Sequence, residues 1–243
     1  MLILISVIVP VMNEEGNIAN LLSEISKVSE TTPISEIIYI DDGSSDNTLK
    51  ILLSLKPTYP TLRILQHDKR CGQSTAMWTG IKNATNNVIA TLDGDGQNDP
   101  ADIPFLYKLF QESAKTNQKV MIAGQRVKRQ DTLARLWASR FANHLRSFLL
   151  NDKTRDTGCS LKMFSREDYI SLPFFNHMHR YLPALMIRDG VTILHTDVAH
   201  RARTTGTSKY TNFNRAIVGI TDLMGVLWLQ KRPHARPQIT EIK

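Results

Sequence analysis

Asp93-Gly94-Asp95-Gly96-Gln97 sets two carboxylates and an amide oxygen at the end of the apolar run Val88–Leu92. Carboxylates this close repel one another unless a cation lies between them. Hard oxygen donors suit Mg²⁺ or Mn²⁺, and such ions typically bridge protein carboxylates to substrate phosphates. The glycines flanking Asp95 let the backbone turn and a ligand come close. Alone, an Asp-x-Asp is also a common acid-rich turn. Two more polar clusters change its weight: Asn13-Glu14 follows the β-branched run Ile5–Val11, and Asp41-Asp42 follows Glu36–Ile40.

These clusters need a scaffold, and the first 120 residues supply one. Short apolar runs at Ile5–Val11, Glu36–Ile40, Leu62–Gln66 and Val88–Leu92 predict strands. Helical spacing predicts helices over Asn13–Ser29, Asp46–Leu55 and Ser74–Ala84, the second capped by Asp46. Buried runs alternating with helices predict βαβ units and a mostly parallel sheet covered on both faces. Ligands of such sheets bind beyond the carboxyl ends of the strands, where all three polar clusters fall. Val120–Ala123 predicts another short strand, ending in Gly124-Gln125-Arg126.

Of the 243 residues, 42% are apolar and 22% charged, which excludes fibrous, low-complexity and disulfide-scaffold classes. Cys71 and Cys159 have no metal-ligand spacing and suit a reducing compartment. The apolar start, Met1–Val11, lacks a basic n-region and a cleavage site, so no signal peptide is expected. The net charge of +7 is unevenly spread: residues 119–155 hold +7, residues 200–243 hold +6, and the rest is acidic. Such segments favour an anionic partner, whether membrane surface, phosphate-bearing substrate or nucleic acid. Residues 131–150 predict a basic helix with a broad apolar arc that Arg140 interrupts. Thr211–Leu229 predicts a second amphipathic helix, with Trp228 beside Lys231, Arg232 and Arg236 as an interfacial anchor. Each also reads as an ordinary core helix.

Taken in order and spacing, Pro10-Val11-Met12-Asn13-Glu14-Glu15, Asp41-Asp42-Gly43-Ser44-Ser45-Asp46-Asn47-Thr48 and Asp93-Gly94-Asp95-Gly96-Gln97 resemble family 2 glycosyltransferases of the GT-A fold. Gly124-Gln125-Arg126, Asp156-Thr157-Gly158-Cys159 and Arg203-Thr204-Thr205-Gly206-Thr207-Ser208-Lys209 resemble its polyprenyl-phosphate branch, typified by the dolichol-phosphate mannose synthases. The resemblance covers roughly residues 5–210. It implies an α/β, Rossmann-like nucleotide-diphospho-sugar transferase sheet over residues 1–210, with amphipathic interface helices, and a membrane-peripheral helix and basic tail over residues 211–243.

The resemblance also implies roles. Pro10, Asn13, Glu14, Asp41 and Asp42 would hold the base and ribose of a nucleotide-sugar, although Asp42 also suits a turn backbone. Asp93, Asp95 and Gln97 would hold Mg²⁺ or Mn²⁺ on the donor diphosphate. Arg126, Arg140 and Arg203, with Ser208 and Lys209, would meet the lipid phosphate, and Arg201 would be a less specific basic contact. Asp95, Arg126 and Arg203 would serve the transition state. The Lys69-Arg70-Cys71-Gly72-Gln73 turn resembles the loop under the donor, with Gly72 needed for backbone shape and Cys71 inert. Asp156 would be structural or metal-proximal, and His177, His179, His195 and His200 core or surface residues.

The implied reaction is inverting transfer from GDP-mannose or a UDP-sugar to dolichyl or undecaprenyl phosphate at the cytoplasmic face of a membrane. Attachment would be peripheral or through a small transmembrane partner, with no nucleic acid involved. Two other readings compete. One keeps fold and donor but uses a hydroxyl acceptor, which the Arg203–Lys209 motif disfavours. The other is a non-enzymatic membrane or nucleic-acid binding module, which has no use for acidic strand ends.

Overall fold

The computed structural model describes residues 3–116, 118–126, 146–152, 154, 156–201 and 212–232, with the side chains of the last segment described from 219 onward. Among the described residues seven strands form one sheet: β1 (Ile5–Val11), β2 (Ile34–Asp41), β3 (Leu62–Gln66), β4 (Val88–Thr91), β5 (Val120–Arg126), β6 (Lys162–Ser165) and β7 (Thr192–Val198). Their order is β3-β2-β1-β4-β6-β5-β7. Only β6 runs against the rest, wedged between β4 and β5. The carboxyl ends of β1, β2, β4 and β5 therefore share one edge with the amino end of β6.

Strand alternation divides the core. Val7, Val9, Ile37 and Tyr39 point to the face covered by α1 (Ile18–Ser29), α2 (Thr48–Leu55) and α4 (Ile103–Ala114). Ile8, Ile38 and Ile40 point to the other, covered by α3 (Gln73–Asn83), α5 (Arg166–Ile170), α6 (Leu182–Arg188) and α7 (Asn212–Gln230). Side chains with a period of two thus supply both layers. On α3, Gly80 admits close packing, because a Cβ there would meet Ile40 Cδ1 at 2.5 Å and Ile8 Cγ2 at 2.8 Å.

Differences from the sequence expectation concentrate near the cleft. The helix expected from Asn13 begins at Ile18, because Asn13 has φ +54° and residues 13–15 bond sideways to the next loop. The strand expected to end at Ala123 runs on to Arg126, since β7 pairs with it along its full length. The expected helix over residues 131–150 lies mostly outside the described residues; its end, residues 146–150, is helical. The second amphipathic helix is present as α7, and Ile220, Met224 and Trp228 are exposed at 64, 62 and 58% along one stripe. Among the described residues no helix is long and apolar enough to cross a membrane.

Candidate active site

The edge of the sheet opens at Pro10. The Ile8 carbonyl accepts from the Leu92 N–H, so the even-numbered residues of β1 turn their backbone groups toward β4. Pro10 is next in that series and has no N–H to give. The ladder ends there, and the chain beyond β4 is free to turn away with Asp93. Gly94 lies tight under this opening, its missing Cβ 2.4 Å from Val11 Cγ1.

The first two loops are fastened together. The Asn13 N–H donates to Ser44 Oγ at 2.9 Å, and Asn13 Oδ1 accepts from the Ser45 N–H at 2.8 Å. The Glu14 N–H donates to Thr48 Oγ1 at 2.8 Å, and Glu14 Oε2 accepts from Asn17 Nδ2 at 2.7 Å. Asp46 accepts from the Thr48 N–H at 3.0 Å and so caps the first turn of α2. Asp41 is fully buried. Its Oδ1 accepts from the Ser44 N–H at 3.2 Å, while Oδ2 has no partner among the described residues. A buried carboxylate oxygen left unsatisfied is costly and points to a ligand N–H.

Asp42 has the structural role open to it as a turn acid. It accepts from the N–H groups of Cys71 and Gly72 at 2.8 Å each and pairs with His67 Nδ1 at 2.8 Å. It thereby fixes the 69–72 loop, in which Gly72 adopts φ +95°. Donor atoms of Asp42, His67 and Cys71 lie within 4.8 Å of one another, close enough to hold an ion. His67 Nε2 is also bonded to Thr79, and this nitrogen–sulfur–oxygen set differs from the hard oxygen set suited to Mg²⁺ or Mn²⁺.

Asp93 and Asp95 are brought together after β4. Burial and the Asp95 carboxylate push the Asp93 carboxyl up to about 6, against the opposing pull of Ser160, Lys162 and Arg126. A pair held under this repulsion fits a divalent cation, whose charge would relieve it. Asp93 Oδ1 accepts from Gln73 Nε2 at 2.7 Å, and its N–H donates to Ser160 Oγ at 2.9 Å. Asp95 Oδ1 closes a turn on the Gln97 N–H at 3.1 Å, with Gly96 at φ +71°. The Gln97 carbonyl accepts from the Arg201 N–H at 2.9 Å, and the Arg201 guanidinium pairs with Glu24 and Asp99. Arg201 thus fastens this loop to α1.

On the far side of Asp93 the charges interlock. Arg126, at the end of β5, forks onto Asp156 at 2.6 and 2.8 Å, and Gly158 leaves it room, since a Cβ there would lie 2.8 Å from the guanidinium. Burial opposes the Arg126 charge, but the bonds from Asp156 outweigh it and raise the guanidinium above its usual range. Lys162 is buried at the start of β6 and donates to the Cys159 carbonyl. Burial lowers its ammonium, against the fields of Cys159, Asp93 and Asp156. Gln73, Asp93, Lys162, His179 and Arg180 line a cavity of about 180 Å³. His179, expected as an ordinary core or surface residue, is pushed down to about 3 by burial and by Arg180. Sequence reasoning missed Lys162 and Arg180; a lone lysine in the run Leu161–Phe164 is the signal that marks the first. Arg140, Arg203, Ser208 and Lys209 lie outside the described residues.

Residues 6–172 match the model of glycosyl transferase family 2. The chain belongs to that family. This glycosyltransferase is 34% identical over 238 residues to a dodecaprenyl-phosphate galacturonate synthase of Rhizobium johnstonii, covering 96% of the chain and 69% of that protein. It is 30% identical over 226 residues to an undecaprenyl-phosphate 4-deoxy-4-formamido-L-arabinose transferase of Photorhabdus laumondii, covering 92% of the chain and 67% of that protein. The chain thus spans about two thirds of both relatives. Glucosyl-3-phosphoglycerate synthase of Mycobacterium tuberculosis, solved with Mn²⁺, UDP and phosphoglyceric acid, superposes with a TM-score of 0.66 at 19% identity, over 93% of this chain and 78% of that one. The glycosyltransferase therefore has the GT-A fold, as its sequence motifs implied.

Proposed function

We propose that this family 2 glycosyltransferase moves a sugar from a nucleotide diphosphate to a polyprenyl phosphate at a membrane surface, with inversion at the anomeric carbon. The observation that carries the proposal is likeness along nearly the whole chain to two enzymes named for sugar transfer to polyprenyl phosphates. Their sugars differ, galacturonate in one and 4-deoxy-4-formamido-L-arabinose in the other, so the likeness leaves the sugar of this chain open.

In this reading Asp41 Oδ2 accepts an N–H from the nucleotide base, as uracil or guanine can supply. Asn13 and Glu14 hold the loops that frame the ribose, and Asp42 holds the loop beneath the donor. Asp93 and Asp95, with Gln97, fit Mg²⁺ or Mn²⁺, which would neutralise charge on the departing diphosphate. The lipid phosphate is an ionised nucleophile, so no side chain need take a proton from it. The chain's contribution is to place it in line with the anomeric carbon and to surround it with cations. Arg126 at the cleft, and Arg140, Arg203, Ser208 and Lys209, serve that acceptor. Asp156 orients Arg126 by its two bonds.

The exposed stripe Ile220, Met224 and Trp228 suits the boundary of a cytoplasmic leaflet, with Arg232 stacked over Trp228 at 5.6 Å. The test is transfer from a panel of UDP- and GDP-sugars to a short-chain polyprenyl phosphate, with the anomeric configuration of the product read by NMR. A glycosyl phosphate of inverted configuration is expected. Transfer to a hydroxyl acceptor, with none to the lipid phosphate, would overturn the acceptor.

A further inference from the structure

The cavity beside Asp93 has a charge pattern that the nucleotide motifs do not explain. Its volume of about 180 Å³ is well below the roughly 300–1,000 Å³ of pockets for drug-sized ligands. It suits one sugar ring and is too small to enclose a nucleotide or a prenyl chain. Its wall mixes apolar Met77 and Leu182 with polar Gln73, Ser160 and His179, as a ring with hydroxyls on some edges and C–H groups on others requires.

Among the described residues three cations stand around this space, and two are engaged. Arg126 is forked onto Asp156, and Lys162 donates to Cys159 in the field of Asp93 and Asp156. Arg180 lines the cavity and makes no side-chain hydrogen bond or ion pair among the described residues. The acid Asp222 does not answer it, being paired with His177 at 3.3 Å. A guanidinium without an acid partner at the wall of a ring-sized cavity matches a planar anion through two parallel N–H bonds. Asp93 lines the cavity and Asp95 does not, so the donor diphosphate, held with its metal between them, meets the cavity only at its edge, and its nucleoside is too large to enter. In the reading above the lipid phosphate is met by Arg126, so the anion left for Arg180 is one that comes with the sugar.

His179 adds a neutral contact. Ser74 Oγ accepts the His179 N–H at 3.4 Å and lies 2.7 Å from Nδ1. Assigning the hydroxyl proton to Nδ1 places the ring proton on Nε2, which has no partner among the described residues and is a donor for a sugar hydroxyl.

We infer that this cavity seats the sugar of the donor and that Arg180 selects a hexuronic acid, forking onto its C6 carboxylate while His179 donates to a ring hydroxyl. The inference rests on the glycosyl-transfer reading above but not on the lipid acceptor.

The test is calorimetry on the full chain with Mn²⁺ and no lipid, using matched pairs that differ only at C6. The pairs are UDP-glucose with UDP-glucuronate, UDP-galactose with UDP-galacturonate, and GDP-mannose with GDP-mannuronate, alongside bare UDP and GDP. In one pair the uronate should bind roughly 10- to 150-fold more tightly, the range of a charge-assisted bond. Arg180→Ala should erase that preference while leaving the bare nucleotide and the neutral sugar unchanged, which also shows that the variant is folded. Arg180→Lys should restore only part of it. Equal binding within every pair, or equal loss of bare nucleotide in Arg180→Ala, overturns the uronate assignment and leaves the glycosyl-transfer reading standing. Failure of every nucleotide-sugar to bind overturns both. A uronate preference without transfer to polyprenyl phosphate keeps the inference and removes the acceptor proposal.

Discussion

The two sides of the cleft are organised by opposite means. On the side of β1–β3, hydroxyls, amides and the Glu15 and Asp46 carboxylates fasten the 13–15 and 44–48 loops with no base among them, and the unmet demand is a buried acceptor, Asp41 Oδ2. On the side of β5 and β6, acids and bases lock one another, and the unmet demand is a cation, Arg180. Asp93 lies between, touched by Gln73 from the first side and Ser160 from the second. One side is built to receive an N–H and the other an anion. A nucleotide-sugar laid across the cleft presents both in that order.

The ionic side should break hardest. Asp156→Asn leaves the Arg126 guanidinium largely buried without its counter-charge, a change that costs about 3–5 kcal/mol in such settings. The expected outcome is a large drop in the urea midpoint at unchanged m-value. A loss below 1 kcal/mol would mean that Arg126 finds another partner and that the lock is weaker than its geometry.

Next comes the junction. Asp95→Asn should lower transfer about 10²–10³-fold, the usual cost of one charge-stabilising group, while far-UV circular dichroism and the urea midpoint stay near those of the parent. Full activity of this variant in EDTA would break the assignment of the metal to Asp93 and Asp95. The side of β1–β3 should yield a smaller effect. Asp41→Asn should weaken nucleotide binding by about 1.5–3 kcal/mol, the range for a hydrogen bond to a charged group. Calorimetry with UDP and GDP also reports which base is preferred. Unchanged affinity for both would remove Asp41 from the base site.

The two sides also differed in how far they could be read from sequence. On the β1–β4 side each polar cluster directly follows a β-branched run, so period-two patterning located the strand and the strand end located the chemistry. Leu62–Gln66 was bounded correctly, and β2 and β4 were found with small errors at their ends. The misplaced start of α1 has a specific cause: residues 13–15 use their polar groups on the neighbouring loop, in long-range bonds invisible to helical spacing. Beyond β5 the pattern gave out. β6 is four residues long, and its place between β4 and β5 depends on antiparallel pairing that no local signal encodes. The Asp156–Gly158 turn was recognised by resemblance, but its bond to Arg126 was not, and Lys162, His179 and Arg180 meet only because β6 and the turn before α6 converge on Asp93.

His179 supplies the smallest and most selective test, because its titration separates the buried wall of the cavity from the acids around it. Burial first, and the Arg180 charge second, lower its folded-state value from 6.5 to about 3. The unfolded chain therefore binds a proton at pH 5 that the folded chain refuses. Stability from this group is fully present above pH 6.5 and is lost as pH falls from 6.5 toward 3, at up to about 1.4 kcal/mol per pH unit. Asp93 acts in the reverse sense. Its folded value is raised to about 6, so the folded state takes up a proton first and gains stability as pH falls through that range. Comparing the parent with His179→Asn cancels the Asp93 contribution and leaves the histidine's. Urea midpoints measured from pH 8 to pH 4 should converge as pH falls, because the parent loses a contribution that the variant lacks. Parallel curves, or an NMR titration of His179 with a midpoint near 6.5, would show an imidazole open to water, and the cavity wall would then lose its neutral donor.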